Sequence, residues 1–202
     1  MSTPAIPVYA VCRHRMNQDG DGVVTLVAVS GCPLRCAYCL NPEGRDASAP
    51  SKLYTPETLF RAVEIDDLYF QATGGGVTFG GGEPLMHADF LRAFIPLAKG
   101  KWKIRVETSL NVPNENIFVK ADEFIADIKS LDESVYERYT GKPLLPALQN
   151  LKSLLNFAGP DRVLVRIPEI PGYTSAKTRA ENAEALRKMG VTRIDEFTYR
   201  VR

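Results

Sequence analysis

The sequence predicts an α/β protein, a partly closed (βα)6 barrel on a parallel sheet that is open on one side. Three observations carry this expectation: six short apolar or β-branched runs, helix-compatible stretches between them, and chemistry-bearing residues at the carboxyl ends of the runs. A chain returning to the same end of a sheet needs a crossover each time, so this alternation implies parallel strands. Six units are fewer than the eight of a closed barrel, which leaves a lateral opening.

The first strand is expected over 23–30, where Val23-Val24-Thr25-Leu26-Val27-Ala28-Val29-Ser30 is a continuous β-branched run of the kind buried on both faces. A helix is expected from Thr55-Pro56-Glu57 to about residue 72. Thr55 can cap it, Pro56 suits the first helical position, and Glu57 sits favourably at the positive end of the dipole. Gly74-Gly75-Gly76 breaks the pattern before a short strand over 77–79, and Gly80-Gly81-Gly82 ends that strand. The cycle continues with a helix over 88–99, a strand over 103–107, a short irregular or helical link and a strand over 124–128. Helices around 132–139 and 144–157, a strand over 163–167, a helix over 175–189 and a strand over 193–199 complete it.

A chain of 202 residues with 45% hydrophobic content can build a core without disulfide staples. It reads as one domain over 1–202 with a core of about 19–199. With 25 basic and 24 acidic residues, charge gives no reason to expect nucleic acid as a general partner. No stretch approaches the roughly 20 apolar residues of a membrane span, and Met1 to Pro7 lacks the charged-then-apolar order of a signal peptide. The expected location is therefore the cytoplasm, whose reducing conditions suit free thiols.

Directly after the first strand, Gly31-Cys32-Pro33-Leu34-Arg35-Cys36-Ala37-Tyr38-Cys39 gathers three of the four cysteines as C-x3-C-x2-C. Three such thiolates can hold three irons of a [4Fe–4S] cluster and leave the fourth iron open to another ligand, which a cluster closed by four cysteines does not. The competing readings are a zinc site with a distant fourth ligand, or buried thiols. Zinc sites usually draw on two short clips, and no second clip exists: Cys12 is alone, and His14 and His87 are isolated. Cys12 reads most simply as a small buried hydrophobe.

In a sheet of this kind ligands collect at the carboxyl ends of the strands. There lie the cysteine loop, Gly81-Gly82-Glu83, Glu107-Thr108, Asp127 with Lys129, and Arg166. For any one of these residues the plain alternative is that strands end at the surface, where charge gathers.

The cysteine loop, with Tyr38 between its last two cysteines, resembles the signature of radical S-adenosylmethionine enzymes. Gly31 to Glu43 and the segment Gly74-Gly75-Gly76-Val77-Thr78-Phe79-Gly80-Gly81-Gly82-Glu83-Pro84-Leu85 are similar to the activating enzymes of glycyl radical enzymes, as in pyruvate formate-lyase activation, and the similarity runs from about Asp19 to Tyr199. The resemblance implies a [4Fe–4S] cluster on Cys32, Cys36 and Cys39 whose open iron is chelated by S-adenosylmethionine. Reduction then cleaves a carbon–sulfur bond and yields a 5′-deoxyadenosyl radical equivalent that abstracts hydrogen. It further implies that Gly81, Gly82 and Glu83 meet the methionine moiety, with Glu83 and the backbone accepting from its ammonium group.

By the same resemblance Lys129 pairs with the cofactor carboxylate, Tyr38 packs near the adenine or covers the cluster, and Arg166 borders the ribose. Glu107, Thr108 and Asp127 match positions that gather a monovalent cation, for which oxygen ligands are suited; a plain hydrogen-bond network is the alternative. Asp19, in Asp19-Gly20-Asp21-Gly22, matches an aspartate that helps receive the target glycine loop, although an Asp-Gly turn explains the same residues.

Four departures bear on the transfer. Asp21 stands where relatives have proline, Val24 where they have arginine, and Leu110 where they often have glycine. No second cysteine group lies between 41 and 202, so no ferredoxin-like insertion is expected. The resulting expectation is a single-cluster activase acting on a glycine of a partner glycyl radical enzyme, with electrons from flavodoxin or ferredoxin. The alternatives are a radical S-adenosylmethionine enzyme with a small-molecule substrate, such as the short enzymes of deazapurine synthesis, and a non-catalytic iron–sulfur electron carrier.

Overall fold

The six expected strands form one side of a larger sheet. A computed structural model of the chain describes residues 3–16, 18–48, 50–118 and 120–199. The first residues of the N-terminal stretch and the end of the Tyr199 to Arg202 segment lie outside the described residues. The strands are β1 (Ile6–Met16), β2 (Val23–Val29), β3 (Lys52–Tyr54), β4 (Gly76–Gly81), β5 (Lys103–Thr108), β6 (Glu123–Asp127), β7 (Val163–Glu169) and β8 (Arg193–Thr198). They lie in the order β3-β1-β2-β4-β5-β6-β7-β8. From β2 to β8 every pairing is parallel, while β1 pairs antiparallel with both β2 and β3. The sheet thus has two strands beyond the six expected from sequence. The β3 segment is only three residues long, and β1, IPVYAVCRHRM, has an apolar half that contains Pro7, a polar half, and bulges between Val8 and Ala10 and between Cys12 and Arg15.

The helices are α1 (Pro56–Glu64), α2 (Asp67–Thr73), α3 (Ala88–Ala98), α4 (Glu115–Phe118), α5 (Glu133–Thr140), α6 (Leu145–Ala158) and α7 (Ala176–Lys188). Thr55 caps α1 and makes a reciprocal box with Thr58, and Asp132 and Ser175 cap α5 and α7. The single helix expected from 56 to about 72 is broken at 65–66. Asp66 is withdrawn from solvent there and accepts from Arg13 Nε, Thr25 Oγ1 (2.7 Å) and the ring of His14 (3.0 Å), so it ties β1 and β2 to the helix corner.

Because the parallel strands follow one another in sequence order, right-handed crossovers place successive helices on the same face of the sheet. That face is apolar: Val77, Phe79, Ile104, Val106, Phe124, Ala126, Val163 and Val165 join Phe90, Phe94, Leu151 and Leu186 of the helices in one core. Phe79 meets Phe94 edge-on with centroids 5.2 Å apart. Each such fully buried ring contributes roughly 1.5–3 kcal/mol relative to exposure. The other face carries Thr78, Arg105, Glu107, Glu123, Asp127, Arg166 and Asp195, as strand alternation and the pairing registers require.

Candidate active site

The cysteine loop leaves β2 and is anchored at both ends by backbone. Gly31 N and Cys32 N donate to Gly44 O (2.9 Å) and Arg45 O (3.1 Å). Arg35 N and Ala37 N donate to Thr140 O (2.7 Å) and Tyr139 O (2.9 Å) at the end of α5. Arg35 Nη1 also caps the Cys32 carbonyl at 3.0 Å. Cys32, Cys36 and Cys39 are free and half-buried. Burial pushes the Cys32 thiol up to about 12 and the Cys36 thiol up to about 11. A soft cation that replaces the protons is therefore needed to make these sulfurs ligands.

The glycine turn docks on this loop. Gly82 N donates to Val29 O (3.0 Å) and Glu83 N to Gly31 O (2.8 Å). A Cβ at 82 would fall 2.3 Å from Gly31 O and 2.6 Å from Val29 O, so only glycine fits. Gly81 has φ of +83°, and its side-chain position is occupied by Tyr9 Oη at 2.7 Å. Glu83 is fully buried, and its carboxylate accepts from Thr108 Oγ1 (2.8 Å), Leu85 N (3.2 Å), Ser109 N (2.9 Å) and Ser109 Oγ (2.7 Å). Four donors fill the acceptor capacity of a carboxylate, and they counter the upward push that burial exerts on its pKa.

Farther along the same rim Lys129 is buried and ion-paired with Asp127 Oδ2, with Nζ 5.4 Å from the Tyr199 ring centroid. Burial alone would lower the lysine pKa; Asp127 and Tyr199 outweigh it and keep the ammonium charged. Asp127 Oδ1 is buried with no hydrogen-bond partner among the described residues. Arg166 Nη1 donates to Glu107 Oε1 at 2.8 Å, and Arg166 Nε lies 3.4 Å from Asp195. Thr108 Oγ1, besides donating to Glu83, accepts from Leu110 N at 3.0 Å.

Tyr38 packs edge-on against Tyr139 (6.1 Å) and Tyr173 (5.8 Å), forming an aromatic wall that joins the cysteine loop to α5 and the end of β7. Asp19 is brought into the helix-free face. Its carboxylate pairs with Arg15, its carbonyl accepts from Thr78 Oγ1 at 2.6 Å, and Arg166 Nη2 donates to the Gln18 carbonyl beside it. A Cβ on Gly20 would fall 2.4 Å from Arg105 Nε, so the 18–22 turn lies flat against the sheet.

The structure therefore gathers the cysteine loop, Gly81, Gly82, Glu83, Thr108, Glu107, Asp127, Lys129 and Arg166 at the carboxyl end of the parallel sheet. Sequence reasoning missed Tyr9, Ser109 and Arg15. Ser109 carried a local signal in its adjacency to Glu107-Thr108; Tyr9 and Arg15 lie on β1, a strand not expected from the sequence although Ile6 to Cys12 is apolar. Cys12, expected as a buried hydrophobe, is half-buried on that strand.

Residues 26–178 match the model of the radical SAM superfamily, and the chain belongs to that family. Membership of that family implies a [4Fe–4S] cluster and S-adenosylmethionine. The chain is similar to the pyruvate formate-lyase-activating enzyme of Staphylococcus aureus strain USA300, with 33% identity over 169 residues, 79% of this chain and 66% of that relative. It thus spans just under two thirds of the relative's length. Among solved structures it resembles Streptococcus suis SuiB bound to precursor peptide SuiA, with a TM-score of 0.67 at 16% identity over 88% of this chain and 39% of that one. It also resembles native anSMEcpe with bound AdoMet, with a TM-score of 0.59 at 17% identity over 84% of this chain and 49% of that one. At these identities the two structures establish a shared fold: an α/β architecture with a mostly parallel, open sheet.

The residues present fit the implied groups. Three free cysteines share one braced loop, and at its side lie an unpartnered buried carboxylate oxygen on Asp127 and a charged, buried Lys129.

Proposed function

We propose that the chain activates a partner glycyl radical enzyme by removing hydrogen from one of its backbone glycines. The observation that carries this reading is the 33% identity with an activating enzyme over 79% of the chain. Cys32, Cys36 and Cys39 hold the cluster, and Lys129 meets the carboxylate of S-adenosylmethionine. When bound, these groups supply reductive carbon–sulfur cleavage and a hydrogen-abstracting radical. The turn at Gly81, Gly82 and Glu83 receives the amino-acid end of the cofactor. Backbone carbonyls take its ammonium, because the Glu83 carboxylate is already filled and serves to hold the turn. Tyr38 and its aromatic neighbours wall the adenine side and Arg166 borders the ribose. Asp127 Oδ1 and Glu107 offer oxygens to a monovalent cation; Thr108 has one lone pair left for it.

On this reading 1–202 acts as one cytoplasmic radical SAM domain, and flavodoxin or ferredoxin docks near the cysteine loop. Among the described residues no helix is long and apolar enough to cross a membrane. One observation favours a second reading, a small-molecule substrate: the Asp19 carboxylate, matched by resemblance to glycine-loop reception, is engaged by Arg15. Anaerobic reconstitution followed by reduction should release 5′-deoxyadenosine and methionine. Addition of a glycyl radical enzyme from the same genome should give an organic radical signal on that partner's glycine. Cofactor cleavage without a partner radical would shift the assignment to the small-molecule substrate, and no cleavage under strong reduction would remove catalysis altogether.

A further inference from the structure

β1, which lies outside the six strands expected from the sequence, brings a phenol into the candidate cofactor site. Tyr9 sits in the β1 bulge between Val8, which faces the helix-side core, and Ala10, and its hydroxyl lies with Ala28 Cβ at the side-chain position of Gly81, away from that core. Its ring packs on Gly44, where a Cβ would fall 2.1 Å from Tyr9 Cε1, and its hydroxyl reaches Gly81. Tyr9 thus spans the end of the cysteine loop and the glycine turn, the two segments that the proposed chemistry uses. Glu43, Cys12, Cys39 and Glu107 lie within electrostatic reach of the phenol.

The hydroxyl is buried and has no hydrogen-bond partner among the described residues. A buried hydroxyl that satisfies nothing costs free energy relative to phenylalanine, which offers the same ring without the polar atom. Neighbouring glycines have made room for its position: residue 81 cannot carry a side chain because Tyr9 Oη and Ala28 Cβ, at 2.7 Å and 3.0 Å, fill the space. With carboxylates and two thiols around it and no donor to it among the described residues, the oxygen has its proton as the useful half of the group.

We infer that the Tyr9 hydroxyl is a hydrogen-bond donor to S-adenosylmethionine seated on the glycine turn, and so a further cofactor-positioning residue. This rests on the cofactor reading given above. A donor to a charged or strongly polar acceptor in a desolvated site contributes roughly tenfold or more in affinity.

The test is Tyr9→Phe in the anaerobically reconstituted chain, with cofactor affinity read from the change that added S-adenosylmethionine makes in the electron paramagnetic resonance signal of the reduced cluster. Roughly tenfold weaker binding is expected, with iron content unchanged and the melting temperature of the cluster-free chain unchanged or raised. Unchanged affinity overturns the inference, including the case in which only the cluster potential moves, since the hydroxyl would then serve a sulfur ligand. A lower melting temperature of the cluster-free variant also overturns it, because the hydroxyl would have a partner within the protein. If the wild-type signal does not respond to S-adenosylmethionine, the cofactor reading itself falls and takes this inference with it.

Discussion

Arg166 Nη1 reaches across β6 to donate to Glu107 Oε1 at 2.8 Å, joining β7 to β5 on the helix-free face of the sheet. Both side chains are largely withdrawn from water, at 17% and 23% exposed. Burial raises the Glu107 pKa above the usual carboxylate range, and the Arg166 charge is the main influence holding it down.

Arg166→Gln should therefore destabilise the cluster-free chain by about 2 kcal/mol at neutral pH, since an ionised, half-desolvated Glu107 is left without its counter-charge. Loss of the arginine raises the folded-state pKa of Glu107 further. The cost is fully present above that value and shrinks as the pH falls and the carboxyl protonates in both states. Denaturant unfolding of variant and wild type at pH 7 and pH 5 checks this: the gap between them should narrow at the lower pH.

Asp66→Asn should cost roughly 2 kcal/mol near neutrality by weakening the hydrogen bonds from Arg13 and Thr25 that tie β1 and β2 to the start of α2. Burial favours a raised Asp66 pKa, but those bonds and the charges of Arg13 and His14 outweigh it and leave the carboxyl below its ordinary value. The stabilisation is thus complete above about pH 4 and disappears as the pH falls through the folded-state value. Melting temperatures from pH 7 down to pH 3 should show the two proteins converging at the acid end.

Leu110 has φ of +60°, the left-handed region that favours glycine, and is fully buried. The sequence departure at this position therefore keeps the backbone conformation a glycine would take and adds an apolar side chain to the core, while Asn150 Nδ2 holds its carbonyl at 2.7 Å. Leu110→Ala and Leu110→Gly should each lose about 2–5 kcal/mol of burial and packing. Glycine alone relieves the backbone, by about 1 kcal/mol. Thermal denaturation should place Leu110→Gly roughly 2–4 °C above Leu110→Ala, the reverse of the order usual elsewhere in a chain.

Gly82→Ala should damage stability and cluster retention together. The added methyl meets two backbone carbonyls, on Gly31 and Val29, and neither can retreat without moving the end of β2 or the start of the cysteine loop. A loss of at least about 2 kcal/mol is expected in denaturant unfolding, with lower iron content after anaerobic reconstitution.

Alanine at Cys32, Cys36 or Cys39 should each leave iron well below the roughly four atoms per chain of a [4Fe–4S] cluster and remove its visible absorbance. Cys12→Ala should reconstitute as wild type does, because Cys12 lies on β1, outside the cysteine loop. Iron and sulfide assays with the absorption spectrum separate the four variants.

Local spacing by itself determined the cysteine loop, the six parallel strands, the Thr55 cap and the glycine turn, because each is encoded within a few consecutive residues. Glycine at 82 was evident in the sequence, but the reason for it was not: the close approach is by the protein's own carbonyls. The tertiary structure decided β1 and β3, whose pairing is antiparallel: β1 carries Pro7 within its apolar half and ends in a polar half, and β3 is three residues long. It also decided the break at Asp66, the saturation of Glu83 by Thr108 and Ser109, and the placement of Tyr9 against Gly81. These depend on partners far apart in the chain: Thr108 is 25 residues from Glu83, and Arg166 is 148 from Gln18. A hydrophobic pattern reports which face of a strand is buried; only the folded sheet determines which polar groups meet across the other face.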